Sequence, residues 1–228
     1  MKKTLLFLVC VGVLSTLMGQ REEASSFTIV PTFGGEAVSL EQAYAFAGDS
    51  VSFSKLRFYI SAVSLWQEGK EVWAEKKSYH LIDLAEPASM NLALKKGLAF
   101  DEVRFQLGID SITNVSGAMG GDLDPTKGMY WSWNTGYINF KLEGKSALAG
   151  IPNHDFIYHL GGYLPPYPSV QWVKLPCSPA KEQLIQFDLS SFLQAADIGN
   201  QPRLMSPGEP AAKLSAIAAS LFKMIDDE

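Results

Sequence analysis

The sequence predicts an all-β domain, an antiparallel β-sandwich or open barrel with a C-terminal helix packed on it. Three observations lead there. Short runs rich in β-branched and aromatic residues recur along the chain, separated by loops of Gly, Pro, Asn and Asp. The run VSFSKLRFYISAVSLW, from Val51, alternates apolar and polar residues with the period of a half-buried strand. Near the end the period changes, and Ala211, Leu214, Ile217, Ala218, Leu221, Phe222 and Ile225 form a 3.6-residue stripe.

In chain order, Phe27–Phe33 is the first expected strand, closed by the Gly34-Gly35 turn. The long run from Val51 follows. Gln67-Glu68-Gly69-Lys70 then reads as a hairpin turn, with Glu71–Ala74 as the returning strand. Further strands are expected at Tyr79–Leu84, Asp101–Ile109, Met129–Trp133, Tyr137–Leu142, Phe156–Leu160, Val170–Leu175 and Gln183–Leu189. Ser190–Ala196 reads as a short helix. Pro210–Ile225 reads as a longer one, with Pro210 in the first turn and the unfavourably acidic Asp226-Asp227-Glu228 at its end.

The stretch MYWSWNTGYINFKLEG, residues 129–144, carries two tryptophans, two tyrosines and a phenylalanine. Alternation places Met129, Trp131 and Trp133 on one strand face. After a bend at Asn134-Thr135-Gly136 it places Ile138, Phe140 and Leu142 on one face and Tyr137, Asn139, Lys141 and Glu143 on the other. The two indoles are expected to line an inter-sheet core, Trp133 included.

The N-terminus carries Lys2 and Lys3 before an apolar run from Leu5 to Met18, the length of a signal-peptide core and too short to span a bilayer comfortably. Residues 1–19 are thus expected to be cleaved before Gln20, leaving a periplasmic or extracellular protein with no membrane insertion. Residues 20–26 read as a short leader and 27–225 as one β domain. Cleavage takes the formal charge from −5 to −7, because all 24 acidic residues remain while Lys2 and Lys3 are lost. A mildly acidic chain without a Lys/Arg cluster is no nucleic-acid binder. Cys177 would be the one remaining cysteine, so a hydrophobic core rather than a disulfide must hold the fold.

Chemistry-bearing residues are few. Strand phase puts His80, in SYHLIDL, on the face of Ile82 and Leu84, and His159, in DFIYHLGG, on the face of Ile157. Two such imidazoles could meet in a sheet interior and suit copper or zinc, or each could be a satisfied core histidine. His154 falls in a solvated Pro-Asn-His-Asp loop. Asp110, Asp122 and Asp124, with Asn114, could supply oxygen ligands to Ca(II), or could cap turns in a long loop. There is no nucleophile elbow, no phosphate-binding glycine loop and no HExxH, so the chain is expected not to be an enzyme.

LRFYISAVSLW, YHLIDL, LGIDSITNVSGAMGGDLDPTKGMYWSWNTGYINFKLEG, FIYHLGG and LMSPGEPAAKLSAIAASLF occur in this order. Together they resemble the MbnP-like copper-binding proteins, an exported family associated with methanobactin metabolism, over residues 27–225. The resemblance implies an all-β exported domain that binds copper. In relatives the metal is held by two histidines and a tryptophan oxidised to kynurenine, often made by a dihaem peroxidase-like partner. His80 and His159 are the histidines it carries over, and two-imidazole ligation favours Cu(I). One feature departs from a copper-binding relative, in which the modified tryptophan stands two residues before a ligand histidine. Ser78 and Ile157 occupy those positions here, and the chain contains no Trp-x-His. The competing reading is a metal-independent carbohydrate- or protein-binding module using exposed Tyr137, Tyr167 and Trp172.

Overall fold

The structure, a computed structural model, describes residues 26–95, 97–133, 136–177 and 182–225. The expected signal segment, its cleavage point, nearly all of the leader, the Asn134-Thr135 bend and the acidic C-terminus lie outside the described residues.

Strand β1 (Ser26–Phe33) is followed by the short β2 (Glu36–Ala37) and β3 (Ala43–Phe46), then by the 19-residue β4 (Asp49–Gln67). Next come β5 (Lys70–Ala74), β6 (Tyr79–Asp83), β7 (Asn91–Ala93) and β8 (Glu102–Leu107). Helix α1 (Ser111–Val115) opens the long connection to β9 (Tyr130–Trp131) and β10 (Gly136–Ser146). After these run β11 (Asp155–Gly161), β12 (Gln171–Pro176) and β13 (Glu182–Asp188). The chain closes with α2 (Leu189–Ala196), β14 (Arg203–Leu204), α3 (Glu209–Ser220) and β15 (Phe222–Ile225).

The organising element is β4. Along one edge it pairs β10 and then β8; along the other it pairs β3, β6 and β5 in turn. A flat strand of this length would run out past the core. Two register shifts, at Ser54 against β10 and at Ala62 against β8, bend it and reset its phase. Ala62 takes a left-handed φ of 51°. The inward set therefore runs Val51, Phe53, then Leu56, Phe58, Ile60, then Val63, Leu65, all buried. Where β8 and β10 part, the Asn139 side chain bridges them: it accepts from the Ile109 N–H (2.9 Å) and donates to Ser169 Oγ (2.8 Å).

The smaller sheet runs β15-β13-β1-β2, with β7 beside β2 on the edge of β1 away from β13. It packs over the main sheet through an aromatic cluster in which Phe187 lies 4.6 Å from Phe222 and 5.7 Å from Phe140. Helices α2 and α3 seal the same core with Phe192, Leu193, Ala211, Leu214 and Ala218. The all-β expectation holds, with one refinement: β1 pairs β13, and β11 pairs β14, in parallel.

Three expectations are corrected. The C-terminal helix stops at Ser220, and Phe222–Ile225 pairs with β13 as a strand, because the free edge of β13 offers it backbone partners. Trp133 is 64% exposed, since β9 ends at Trp131 and the chain turns outward. Tyr137, expected at the surface, is buried, its hydroxyl bonded to the Met119 N–H and the Leu123 carbonyl. Its burial reflects a second small core on the outer face of the sheet. There the 109–131 segment covers Tyr59, Leu81, Met129, Trp131, Tyr137 and Ile138.

Candidate metal centre

The outer face of the main sheet carries a row of paired residues across four strands. Asp83 on β6 faces Arg57 on β4, Arg57 faces Lys141 on β10, and Lys141 faces His159 on β11. Directly opposed residues project to the same face, so all four side chains share it. Arg57 Nε lies 2.7 Å from Asp83 Oδ2, while its Nη1 donates to the Lys127 carbonyl at 2.7 Å. The Lys141 ammonium bonds the Gly128 carbonyl. The 109–131 segment thus clamps down on this row.

His159 is 8% exposed, and its Nε2 lies 2.8 Å from Glu143 Oε1. The other Glu143 oxygen accepts from Lys55 Nζ at 3.1 Å. Burial holds the imidazole below its ordinary pKa and hence neutral, against the opposing pull of Glu143. Burial also pushes the Glu143 carboxyl up, but its bonds to His159 and Lys55 outweigh this and hold it ionised below the usual range. The Lys141 ammonium is lowered by desolvation. Gly161, two residues along the same face from His159, is where Trp131 lodges: a Cβ there would stand 2.6 Å from Trp131 Cζ3. The exposed Trp133 ring lies 5.4 Å from that of Trp131. A histidine and two tryptophans therefore neighbour one another at this end of β11.

His80 sits elsewhere. It faces Ile60 across β6 and β4, and so projects to the main-core face, the one Ile82 occupies and opposite to that of Arg57. Its Nε2 lies 2.7 Å from Glu75 Oε2, which also accepts from Ser78 Oγ at 2.6 Å. Between the two histidines lie three strand spacings, about 14 Å, and the thickness of the sheet. Two imidazoles sharing a metal at about 2 Å each stand within about 4 Å of one another. The structure does not bring His80 and His159 together, and the two-histidine copper centre does not fit the residues present. Sequence alternation assigned each histidine a face but could not say that the faces differ.

Asp110, Asp122 and Asp124 do not converge either. Asp110 caps α1, accepting from the Thr113 N–H, Thr113 Oγ1 and Tyr79 Oη. Asp122 accepts from Lys127 Nζ and the Leu81 N–H, and Asp124 from the Thr126 N–H and hydroxyl. Each carboxylate is already engaged by protein donors, which corrects the shared calcium site. Asn114 is buried and used inside the fold, accepting from the Tyr137 N–H. Among the described residues, no group of three or more His, Cys, Asp and Glu side chains could hold a metal ion. His154 is exposed in its loop. Cys177 is a free thiol, pushed up to about 11 by burial, and hence unreactive at neutral pH.

The sequence reading missed Glu75 and Glu143, the carboxylate partners of the two histidines. Their signal was weak, although Lys141 and Glu143 alternating within an otherwise apolar strand marked a buried charged face.

Comparison with known proteins completes the picture. The MbnP family profile matches residues 22–206. Among solved structures, MbnP from Methylosinus trichosporium superposes with a TM-score of 0.56 at 16% identity, over 80% of each chain. No curated protein gives a significant sequence match. With a match over most of the sequence, and the same fold in that solved structure, the chain belongs to the MbnP family.

Proposed function

We propose that this protein is an exported, non-enzymatic copper-handling member of the MbnP family, and that copper is engaged on the His159 side of the sheet. The observation that carries the reading is the neutral, buried His159 imidazole with Trp131 lodged two residues along the same face. A neutral imidazole is a copper ligand, and the Glu143 carboxylate is within reach as a second donor. Lys55 and Lys141 flank this group, and their positive charges oppose a divalent ion more than a monovalent one, which favours Cu(I). One imidazole and one carboxylate make an incomplete coordination set. That suits transient binding and hand-over better than permanent storage. Trp133, exposed and adjacent to Trp131, is the indole a dihaem peroxidase-like partner would reach from outside.

Elemental analysis with intact mass of the natively purified protein tests this reading. Bound copper that survives His80→Ala and is lost in His159→Ala supports it. Copper retained in full by His159→Ala would sink it. The same mass spectrum reports whether the chain begins at Gln20 and whether a tryptophan has become kynurenine.

A further inference from the structure

A groove on the same sheet face, remote from His159, has a different chemistry. It lies where β12, β8, β4 and β5 run side by side, and it encloses about 360 Å³. That volume falls within the range of small-molecule sites. One wall is a stack: the Arg104 guanidinium lies 3.5 Å above the Trp66 ring centroid. The stack is fixed in place, because Glu102 binds Arg104 Nε and Trp66 Nε1 donates to Ser64 Oγ at 3.0 Å. Opposite stands Trp172, 53% exposed and diagonal to Arg104 across β12 and β8. Lys174, directly facing Arg104, and Glu71 also line the groove. Neither side chain enters a hydrogen bond or ion pair within the described residues.

These features, with the exposed indole, favour one class of ligand. An anion would call for donors alone, and a cation for acceptors alone. This groove offers both: guanidinium and ammonium donors on one side and the Glu71 carboxylate on the other, while Glu75, which also lines it, already holds His80 and Ser78 through Oε2. Hydroxyl groups, which donate and accept at once, are the partners that use such a mixed set fully. The exposed indole adds an apolar π-face, which packs against a patch of C–H bonds. A ring with an apolar C–H face and hydroxyls around its edge is a pyranose.

We infer that the groove between Trp172 and the Arg104–Trp66 stack is a binding site for a neutral pyranose saccharide, with Trp172 as the stacking platform. This site is independent of the copper reading and stands or falls separately from it.

Titration of the copper-free protein with cellohexaose, xylohexaose, laminarihexaose and maltohexaose, followed by tryptophan fluorescence and calorimetry, tests the inference. At least one of these should bind saturably. Trp172→Ala should weaken binding about tenfold. Trp172→Phe should recover much of it, and Lys174→Ala should weaken it by a smaller factor. Trp133→Ala, which alters the other exposed indole, should leave it unchanged. Trp172 is exposed, so its replacement should leave the melting temperature intact, and the two melting curves confirm that a loss is local. The inference is overturned if none of the four saccharides binds, or if Trp172→Ala binds as tightly as the wild type.

Discussion

Glu143 and His159 meet on the diagonal between β10 and β11, with the carboxylate Oε1 2.8 Å from the imidazole Nε2. Glu143 also bonds Lys55, so one carboxylate serves a buried imidazole and a cation beside the Lys141 ammonium. Removing it leaves these donors without their acceptor. Glu143→Ala is expected to cost about 1–3 kcal/mol. At roughly 2–4 °C per kcal/mol for a chain of this size, the melting temperature falls by several degrees.

The same relationship sets an acid dependence for the copper-free protein. Both groups titrate below their ordinary values in the folded state, so the unfolded chain binds more protons in each window. The stability they contribute is present at high pH and lost on acidification. His159 begins to cost as pH drops below 6.5, its ordinary value, and Glu143 as pH drops below 4.5. Urea unfolding at a series of pH values should show both steps, and His159→Gln should lack the upper one.

Chelation separates structural from metal-binding roles in the 109–131 segment. A calcium ion held at a hundredfold excess over its dissociation constant would add about 2.7 kcal/mol, which a melting curve resolves easily. Asp110, Asp122 and Asp124 already accept from Thr113, Lys127 and Thr126. Treatment with EDTA is therefore expected to leave the melting temperature where it was. Asp110→Ala, which removes the cap of α1, should cost about 1 kcal/mol with or without EDTA. A calcium-dependent melting curve lost in that variant would contradict both statements.

How much of this was legible depends on whether the cause is local. The Gln67–Lys70 hairpin was readable because Glu68 and Gly69 both take positive φ, the demand of a tight primed turn that Gly meets. The end of α3 was not. Leu221, Phe222 and Ile225 fit a helical stripe, yet the unpaired edge of β13 draws Phe222–Ile225 into the sheet. The parallel pairing of Phe27 with Gln183 joins segments far apart in sequence, and no local period encodes such a partner. Alternation correctly grouped Lys141 with Glu143, but said nothing of the 109–131 segment that buries their face. For the same reason His80 and His159 each received a face, and the opposition of those faces emerged only from strand pairing through β4.

Gly161 ties the histidine strand to the tryptophans, and its replacement probes that tie directly. A Cβ at this position would stand 2.6 Å from Trp131 Cζ3 and 2.7 Å from the Tyr137 carbonyl oxygen, closer than such atoms approach. The backbone oxygen belongs to β10, whose pairing with β9 and β11 holds it, so relief needs the indole to move and the β10–β11 pairing to shift with it. Trp131 is 5% exposed and packs in the small outer core with Met129 and Ile138, which leaves it little room. Gly161→Ala is expected to cost about 1–3 kcal/mol, the range for overpacking a filled core. Displacement of the indole should also change the near-ultraviolet circular dichroism, because the Trp131–Trp133 contact at 5.4 Å is perturbed. Gly162→Ala is the wrong control, since Gly162 needs a φ of 113° for itself. Trp133→Ala is the right one: it should alter the dichroism of the indole pair while leaving stability nearly unchanged, because that ring is largely in solvent. A Gly161→Ala protein with wild-type stability and wild-type dichroism would show that Trp131 does not rest on this strand, and would remove the link between His159 and the tryptophans on which the copper reading depends.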